Sequence, residues 1–125
     1  MNKYNSLSII GSGYVGLSLA CLLGREYKIN LVDIDKSIVE LVNNKKSHLK
    51  DDLIEEFLGK GELNIRATTE IKDVAENTDL FILCLPTNYD EQTGKFDTSI
   101  LEKTISKISS FKLSSPVLIK STVPV

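Results

Sequence analysis

The stretch GSGYVG at residues 11–16 constrains the fold of this 125-residue chain more than any other feature. It follows an apolar run at residues 7–10 and opens a segment with helical periodicity, so it predicts a strand, a tight turn and a helix. Gly11 permits a sharp bend, Gly13 lets a ligand approach the backbone, and Gly16 lets the helix pack closely on the strand. Unpaired N–H groups at the start of such a helix favour an anion. Because glycines with this spacing also occur in ordinary turns, the motif needs support from its context.

An acidic residue provides the first supporting context. A second strand is predicted over residues 28–33, and it ends at Asp33, 22 positions after Gly11. A carboxylate at about this spacing accepts hydrogen bonds from the adenosine ribose of a dinucleotide, and it would repel a 2′-phosphate. The spacing therefore predicts an NAD site rather than an NADP site. A solvated strand end is the alternative for Asp33, and Asp35 is placed to share its role.

The remaining chain alternates between strand and helix patterns. Strands are predicted over residues 7–10, 28–33, 63–68, 79–85 and 116–122, and residues 86–96 are expected to form a polar loop. Helices are predicted up to Gly24, after a cap at Asp35 or Ser37, over residues 51–58, from Thr69 to about residue 75, and after a cap at Asp97 or Thr98. Leu53 and Ile100 are expected on the inner faces of their helices. This order predicts an α/β fold, a Rossmann-like doubly wound parallel sheet with three αβα layers in a single domain, residues 1–125.

Charge and composition exclude several classes of partner. The net charge is −2 and the longest basic run is the pair Lys45 and Lys46, so binding of nucleic acid is not expected. Apolar runs are far shorter than the ~18 residues of a membrane span, and the polar first residues do not resemble a signal peptide. Cys21 and Cys84 lie in apolar segments, which predicts buried free thiols and a cytoplasmic location.

Further candidate residues follow the fourth and fifth predicted strands. Thr87 and Asn88 follow the fourth strand, and Ser121 and Thr122 end the fifth. In an open α/β sheet, ligands bind beyond the carboxyl ends of the strands, so these polar groups are expected to line the cofactor. Each of them alone is equally well explained as turn or strand-end chemistry. His48, the only histidine, lies in a polar connector and is expected to be solvated rather than a catalytic base or metal ligand. The sequence predicts no metal site.

Four segments together carry a more specific resemblance. Residues 11–18 (GSGYVGLS), 86–90 (PTNYD), 96–98 (FDT) and 120–124 (KSTVP) resemble the N-terminal NAD-binding domain of the UDP-glucose/GDP-mannose dehydrogenase family. The resemblance extends over essentially the whole chain. It implies an enzyme that uses two NAD to oxidise the C6 hydroxymethyl group of a nucleotide sugar to a carboxylate, through a thiohemiacetal and a thioester.

The resemblance also implies roles for individual residues. Tyr14 and Val15 would contact the pyrophosphate through their backbone, and Asp33 would hold the adenosine ribose. Thr87 and Thr122 would lie along the cofactor, with Thr122 also near the catalytic water. Lys36 would reach the adenosine ribose or a phosphate. These roles are implied by the family and not by the spacing of the residues.

The chain departs from the family pattern in two ways. The catalytic cysteine, lysine and asparagine of the family and its UDP-binding elements belong after Val125, so the chain is expected to be an inactive fragment of a longer enzyme. The full-length enzyme would bind a UDP-sugar, would not associate with membranes and would form a homodimer. In addition, Ser47 and His48 stand where the family often has Ser-Pro, a difference that alters a connector and leaves the expected function unchanged.

Several functions are compatible with these sequence features. The loop at residues 86–90 and the short connector at residues 46–51 favour UDP-glucose as the sugar nucleotide over UDP-N-acetylmannosamine or GDP-mannose. A function of another class is a regulatory NAD-sensing module, such as those that gate potassium channels, which also contains the glycine motif and the acid. The KSTVP segment is not expected in such a module and favours the dehydrogenases.

Overall fold

A computed structural model describes residues 5–59, 63–85, 88–90, 92–97, 99–111 and 115–120. The strands within these residues are β1 (Ser6–Ile10), β2 (Lys28–Val32), β3 (Ile65–Thr68), β4 (Leu80–Leu83), β5 (Asn88–Asp90), β6 (Lys95–Asp97) and β7 (Val117–Ile119). The α-helices are α1 (Tyr14–Leu23), α2 (Lys36–Asn43), α3 (Asp52–Gly59) and α4 (Ser99–Ser110). In the part of the chain that is described, no helix is long and apolar enough to cross a membrane.

Five strands form one parallel sheet in the order β3-β2-β1-β4-β7. Ile9 of β1 lies in register with Leu31 of β2 on one side and with Ile82 of β4 on the other. The strand order changes direction between β1 and β4, which is where ligands bind in doubly wound sheets. The predicted parallel sheet is therefore confirmed, and its switch point lies at the carboxyl ends of β1 and β4.

Helices cover both faces of the sheet because its central strands carry apolar side chains on both faces. On one face Leu17, Ile54 and Leu58 of the helices α1 and α3 pack with Ile9 and Leu31, together with buried residues of α2. On the other face Phe81 and Leu83 pack against Leu101 and Ile108 of α4. These two apolar layers confirm the predicted three-layer arrangement. Asp35, one of the two predicted caps, begins α2 by accepting a hydrogen bond from the N–H of Ser37.

A buried polar group lies inside the sheet and was not predicted. Ser8 of β1 is fully buried, and its hydroxyl is 2.5 Å from the hydroxyl of Thr78. The Thr78 hydroxyl donates to the carbonyl of Val74 at 2.6 Å, so the Ser8 hydroxyl must donate to Thr78. The amide of Asn30 in β2 donates to Ser6 at 3.2 Å. Every buried polar group in such a network needs a partner, which makes these contacts important for stability.

The segment after β3 differs from the predicted helix. It forms two short 3-10 helices, Ile71–Asp73 and Ala75–Asn77, and the residue that precedes the first one is Glu70, not Thr69. An α-helix would use the N–H of Thr78 to bond the carbonyl of Val74. Here the Thr78 hydroxyl takes that carbonyl, while its N–H bonds Ala75. The side chain thus competes with helix formation.

Three other sequence predictions were wrong. Residues 86–96 include two short antiparallel strands, β5 and β6, and Gly94 with φ of 68° lies in the turn between them. Leu53 is 64% exposed, so α3 buries only Ile54 and Leu58 fully. Ile100 is 47% exposed, because it lies beside an open cleft instead of the sheet. Asp97 belongs to β6, and the other predicted cap, Thr98, lies outside the described residues.

Candidate functional site

The glycine turn connects β1 to α1 at the carboxyl edge of the sheet. Gly11 has a φ of 104°, and a Cβ atom on it would lie 2.5 Å from the carbonyl oxygen of Cys84. A Cβ atom on Gly16 would lie 1.9 Å from the carbonyl oxygen of Gly11. Both residues must therefore be glycine for the backbone of the turn to pack against β4 and α1.

Gly13 is different, because beyond its two chain neighbours no atom of the described residues lies within 4 Å of a Cβ atom built there. It is exposed and precedes α1, where it supplies no side-chain cap, and the first turn of the helix contains no acidic residue. Backbone N–H groups at this end and the positive end of the helix dipole stabilise an anion. The open space at Gly13 fits a phosphate group that a side chain would displace.

Asp33 follows β2 and faces the glycine turn. Its Oδ2 accepts hydrogen bonds from the N–H of Ser12, at 3.1 Å, and from the Ser12 hydroxyl. Its Oδ1 accepts from the N–H of Asp35 at 2.9 Å. A carboxylate has about four lone-pair positions, so these three donors leave capacity for a hydroxyl of a ligand. The side chain is thus held in a fixed orientation at the edge of the cleft.

A cleft of about 730 Å³ opens beyond the carboxyl ends of the strands. Of the predicted site residues, it brings together Gly11, Gly13, Tyr14, Val15 and Asp33. Apolar residues continue the wall away from the glycine turn, namely Ile34, Ile38, Ile71 and Ile100. Ile34 is 94% exposed and Ile100 is 47% exposed, so this wall presents apolar surface to the cleft. A phosphate site beside an apolar wall suits a ligand with a charged and a flat hydrophobic part.

Two further predicted site residues, Gly16 and Lys36, are not among the described residues that line the cleft. Gly16 lies behind the turn, against the carbonyl of Gly11. Lys36 is the exposed first residue of α2 and is not among the described residues that line the cleft. Thr87 and Thr122 lie outside the described residues. All the predicted roles of these residues in binding stay predictions.

His48 is a cleft residue whose environment was predicted wrongly from the sequence. It is half-buried instead of solvated, and its Nε2 lies 2.6 Å from the carbonyl oxygen of Ser12 in the glycine turn. Its ring also lines the cleft. Nothing in the polar sequence of the connector indicates this contact, because it joins residues 36 positions apart.

The two cysteines lie in the core, as predicted, and are free thiols. Burial raises the pKa of Cys21 to about 11, and the negative charge of Asp51 adds to that effect. Burial also raises the pKa of Cys84, which the nearby charge of Lys120 partly offsets. Thiols with raised pKa values are weak nucleophiles at neutral pH. Among the described residues, no cluster of potential metal ligands occurs.

The parallel sheet, the glycine turn at its switch point and the acid after β2 define a dinucleotide-binding domain of the Rossmann type. Comparison with known proteins gives the family. Residues 5–125 match the sequence model of the UDP-glucose/GDP-mannose dehydrogenase family, NAD binding domain. The chain belongs to this family.

Individual relatives agree with this assignment. The chain is 41% identical over 118 residues to UDP-glucose 6-dehydrogenase of Streptococcus pneumoniae, covering 94% of this chain and 30% of that protein. It is 40% identical over 119 residues to UDP-glucose 6-dehydrogenase of Campylobacter jejuni, with the same coverage. The fold matches the solved structure of a GDP-mannose dehydrogenase from Pseudomonas aeruginosa with a TM-score of 0.85 and 27% identity, over 94% of this chain and 28% of that chain. The chain thus spans about 30% of the length of the curated relatives it matches.

Proposed function

We propose that this chain is the NAD-binding domain of a UDP-glucose 6-dehydrogenase. The observation that carries the proposal is the pairing of the open turn at Gly13 with the fixed carboxylate of Asp33. The first fits a pyrophosphate, and the second has free acceptor capacity for a ribose hydroxyl. A cofactor with a 2′-phosphate would place a second negative charge against Asp33, so the site fits NAD better than NADP.

Bound NAD would supply a nicotinamide ring that accepts a hydride. The residues of this chain bind and orient the cofactor. Asp33 holds the adenosine ribose, Tyr14 and Val15 contact the pyrophosphate through their backbone, and Ile34 and Ile38 shield the adenine from water. We include Lys36, Thr87 and Thr122 as further cofactor contacts, with Thr122 also positioning the catalytic water, as the family resemblance implies.

The proposed substrate is UDP-glucose, oxidised to UDP-glucuronate with two NAD. The names of the Streptococcus pneumoniae and Campylobacter jejuni relatives support this sugar nucleotide. GDP-mannose, the substrate in the name of the solved Pseudomonas aeruginosa relative, and UDP-N-acetylmannosamine are the alternatives. Cys21 and Cys84 are buried thiols with raised pKa values, so we assign the covalent steps to residues elsewhere in a longer protein.

We further propose that the longer protein is a cytoplasmic homodimer that makes sugar acids for polysaccharides and binds neither nucleic acid nor membranes. The two free buried thiols support a reducing compartment. The net charge of −2 gives no attraction to phosphate backbones or anionic lipids.

The test is a calorimetric titration of the 125-residue chain and two variants with NAD and NADP. Asp33→Asn removes the charge but keeps one oxygen for Ser12, and we expect it to weaken NAD binding by about tenfold or more, because bonds to charged groups contribute about 1.5–3 kcal/mol. Its preference for NAD over NADP should fall as well.

Asp35→Asn is the matched control, because Asp35 is an exposed helix cap two residues away and asparagine caps equally well. We expect it to bind NAD as the wild type does. Loss of NAD affinity in Asp35→Asn but not in Asp33→Asn would move the ribose contact to Asp35. A wild-type chain that binds neither cofactor would contradict the proposed function.

A further inference from the structure

We propose that His48 is a positioning residue of the cofactor site, which holds the Ser12 carbonyl and thereby fixes the geometry of the glycine turn. The proposal rests on the proposed function, because it takes NAD as the ligand of the cleft.

The hydrogen bond itself fixes the chemistry of the histidine ring. Nε2 of His48 lies 2.6 Å from the carbonyl oxygen of Ser12. A carbonyl oxygen only accepts, so Nε2 must carry the proton, in the neutral ring as well as in the charged one. The hydrogen bond therefore requires a ring N–H donor at this position.

Ser12 connects the hydrogen bond from His48 to both parts of the proposed site, the turn at Gly13 and the carboxylate of Asp33. A peptide unit is planar, so a fixed Ser12 carbonyl also fixes the direction of the Gly13 N–H group. The N–H and the hydroxyl of Ser12 both donate to Oδ2 of Asp33. Without the bond from His48, the peptide between Ser12 and Gly13 gains freedom, and the phosphate and ribose contacts lose their common support.

The connector that carries His48 is itself fixed on both sides. The Ser47 hydroxyl accepts from the N–H of Leu49 at 2.9 Å and lies 3.0 Å from the Leu49 carbonyl, and the Leu49 side chain packs against the core. Further along, Asp51 accepts from the N–H of Ile54 at 3.1 Å, and its hydrogen bond with Tyr14 raises the pKa of that phenol. The connector thus lies across the glycine turn, with His48 on Ser12 and Asp51 on Tyr14. The position of His48 is built by the fold.

The test uses two variants of similar size that differ in one property. His48→Gln keeps an N–H donor that can reach the Ser12 carbonyl, and His48→Met has a chain of similar length with no donor. We measure the free energy of unfolding without ligand and the affinity for NAD by calorimetry, both for the 125-residue chain. We expect the Met variant to bind NAD about tenfold more weakly than the wild type, and the Gln variant to bind within about twofold.

Each other outcome overturns the proposal in a recognisable way. Wild-type affinity in the Met variant would show that the hydrogen bond does not support binding. Equal losses in both variants would assign the effect to the ring and not to the donor. If the Met variant does not fold, the Gln variant decides, because a loss above about fivefold in a folded Gln variant contradicts the proposal. A wild-type chain that does not bind NAD overturns the proposed function and the role of His48 together, whereas the other outcomes leave the proposed function intact.

Discussion

The three glycines of the turn differ in what surrounds them. Gly11 and Gly16 are limited by the protein's own backbone, since added Cβ atoms would meet carbonyl oxygens of Cys84 and Gly11. Gly13 faces open space. Gly11 and Gly16 are therefore required by the fold, whereas the space beside Gly13 is available to a ligand. The spacing of the three glycines alone does not separate these two roles, because it gives their positions and not the atoms around them.

Because of this difference, we expect alanine at position 16 to lower the stability of the chain and alanine at position 13 to lower mainly its affinity for NAD. Gly16→Ala should strongly destabilise the chain, by more than about 2 kcal/mol, because a Cβ atom 1.9 Å from a backbone oxygen forces β1 and α1 apart. Gly13→Ala should change the free energy of unfolding by no more than about 1 kcal/mol, the scale of a helix-cap substitution. It should nevertheless weaken NAD binding by about tenfold or more, because the methyl group takes the space of the phosphate.

Urea denaturation and calorimetry of both variants check this prediction. The contrary result would be a Gly13→Ala chain that binds NAD like the wild type, which would mean that the phosphate lies elsewhere.

At the residue scale, sequence predicted what depends on local spacing and missed what depends on distant contacts. The position of Asp33 beside the glycine turn was predicted, because its distance along the chain from Gly11 reflects one strand–helix–strand unit. His48 was placed in solvent, because no periodicity describes how a connector crosses a turn 36 residues earlier. The contact is a product of tertiary packing.

At the element scale, the strands of the main sheet were predicted more reliably than the segments between them. The core strands are short apolar runs, and burial on both faces of a parallel sheet demands such runs. The segment after β3 instead forms 3-10 turns because the hydroxyl of Thr78 replaces a backbone donor. The strands β5 and β6 pair with each other and not with the main sheet, so their residues need no apolar alternation.

The buried hydroxyl of Thr78 predicts a measurable loss of stability. Thr78→Val keeps the shape of the side chain but removes the acceptor of the buried Ser8 hydroxyl. The Val74 carbonyl loses one of its two donors and keeps the N–H of Asn77. We expect the free energy of unfolding to fall by about 1–3 kcal/mol, the cost of unsatisfied buried polar groups. Urea denaturation provides the measurement.

Thr104→Val is the matched control, because the Thr104 hydroxyl bonds a helix carbonyl at a more exposed site. Its effect should stay within about 0.5 kcal/mol. Equal effects of the two substitutions would contradict a special role for the buried network.

The start of β1 is tied to the start of β4 through Asp79, and this predicts a pH dependence. The N–H groups of Asn5 and Ser6 both donate to its Oδ2 at 2.9 Å, which holds the pKa of Asp79 below its usual value. The pKa is lower in the folded than in the unfolded chain, so the stabilisation is present above about pH 4 and is lost as the pH falls through the folded pKa.

Asp79→Asn should therefore lose less stability than the wild type between pH 7 and pH 3. Urea denaturation at the two pH values measures the difference. The pKa of Asp35 is also lowered, chiefly by the hydrogen bond from the Ser37 hydroxyl. Because Asp79→Asn leaves Asp35 in place, the variant should retain part of the dependence of stability on pH. An unchanged pH dependence in the variant would contradict the contribution of Asp79.

At the scale of the whole molecule, one edge of the sheet collects the features of the proposed site. The glycine turn follows β1, Asp33 follows β2, and Ile71 lies after β3. The alternation of strands and helices was sufficient to predict this edge, because right-handed crossovers place all the carboxyl ends of a parallel sheet together. The apolar wall was not predicted. Ile34 and Ile100 are exposed against a cleft, and a sequence pattern assigns isoleucine to a core by default.

Backbone amide chemical shifts of the ¹⁵N-labelled chain during titration with NAD can locate the cofactor site, because they report on each residue separately. We predict that the largest shifts occur at Gly13, Tyr14, Val15 and Gly16 and at Asp33 to Asp35, with small shifts at the opposite edge around Asn5 and Asp79. Shifts concentrated at that opposite edge, or an unchanged glycine turn at saturating NAD, would contradict a cofactor site at the carboxyl ends of β1 and β2.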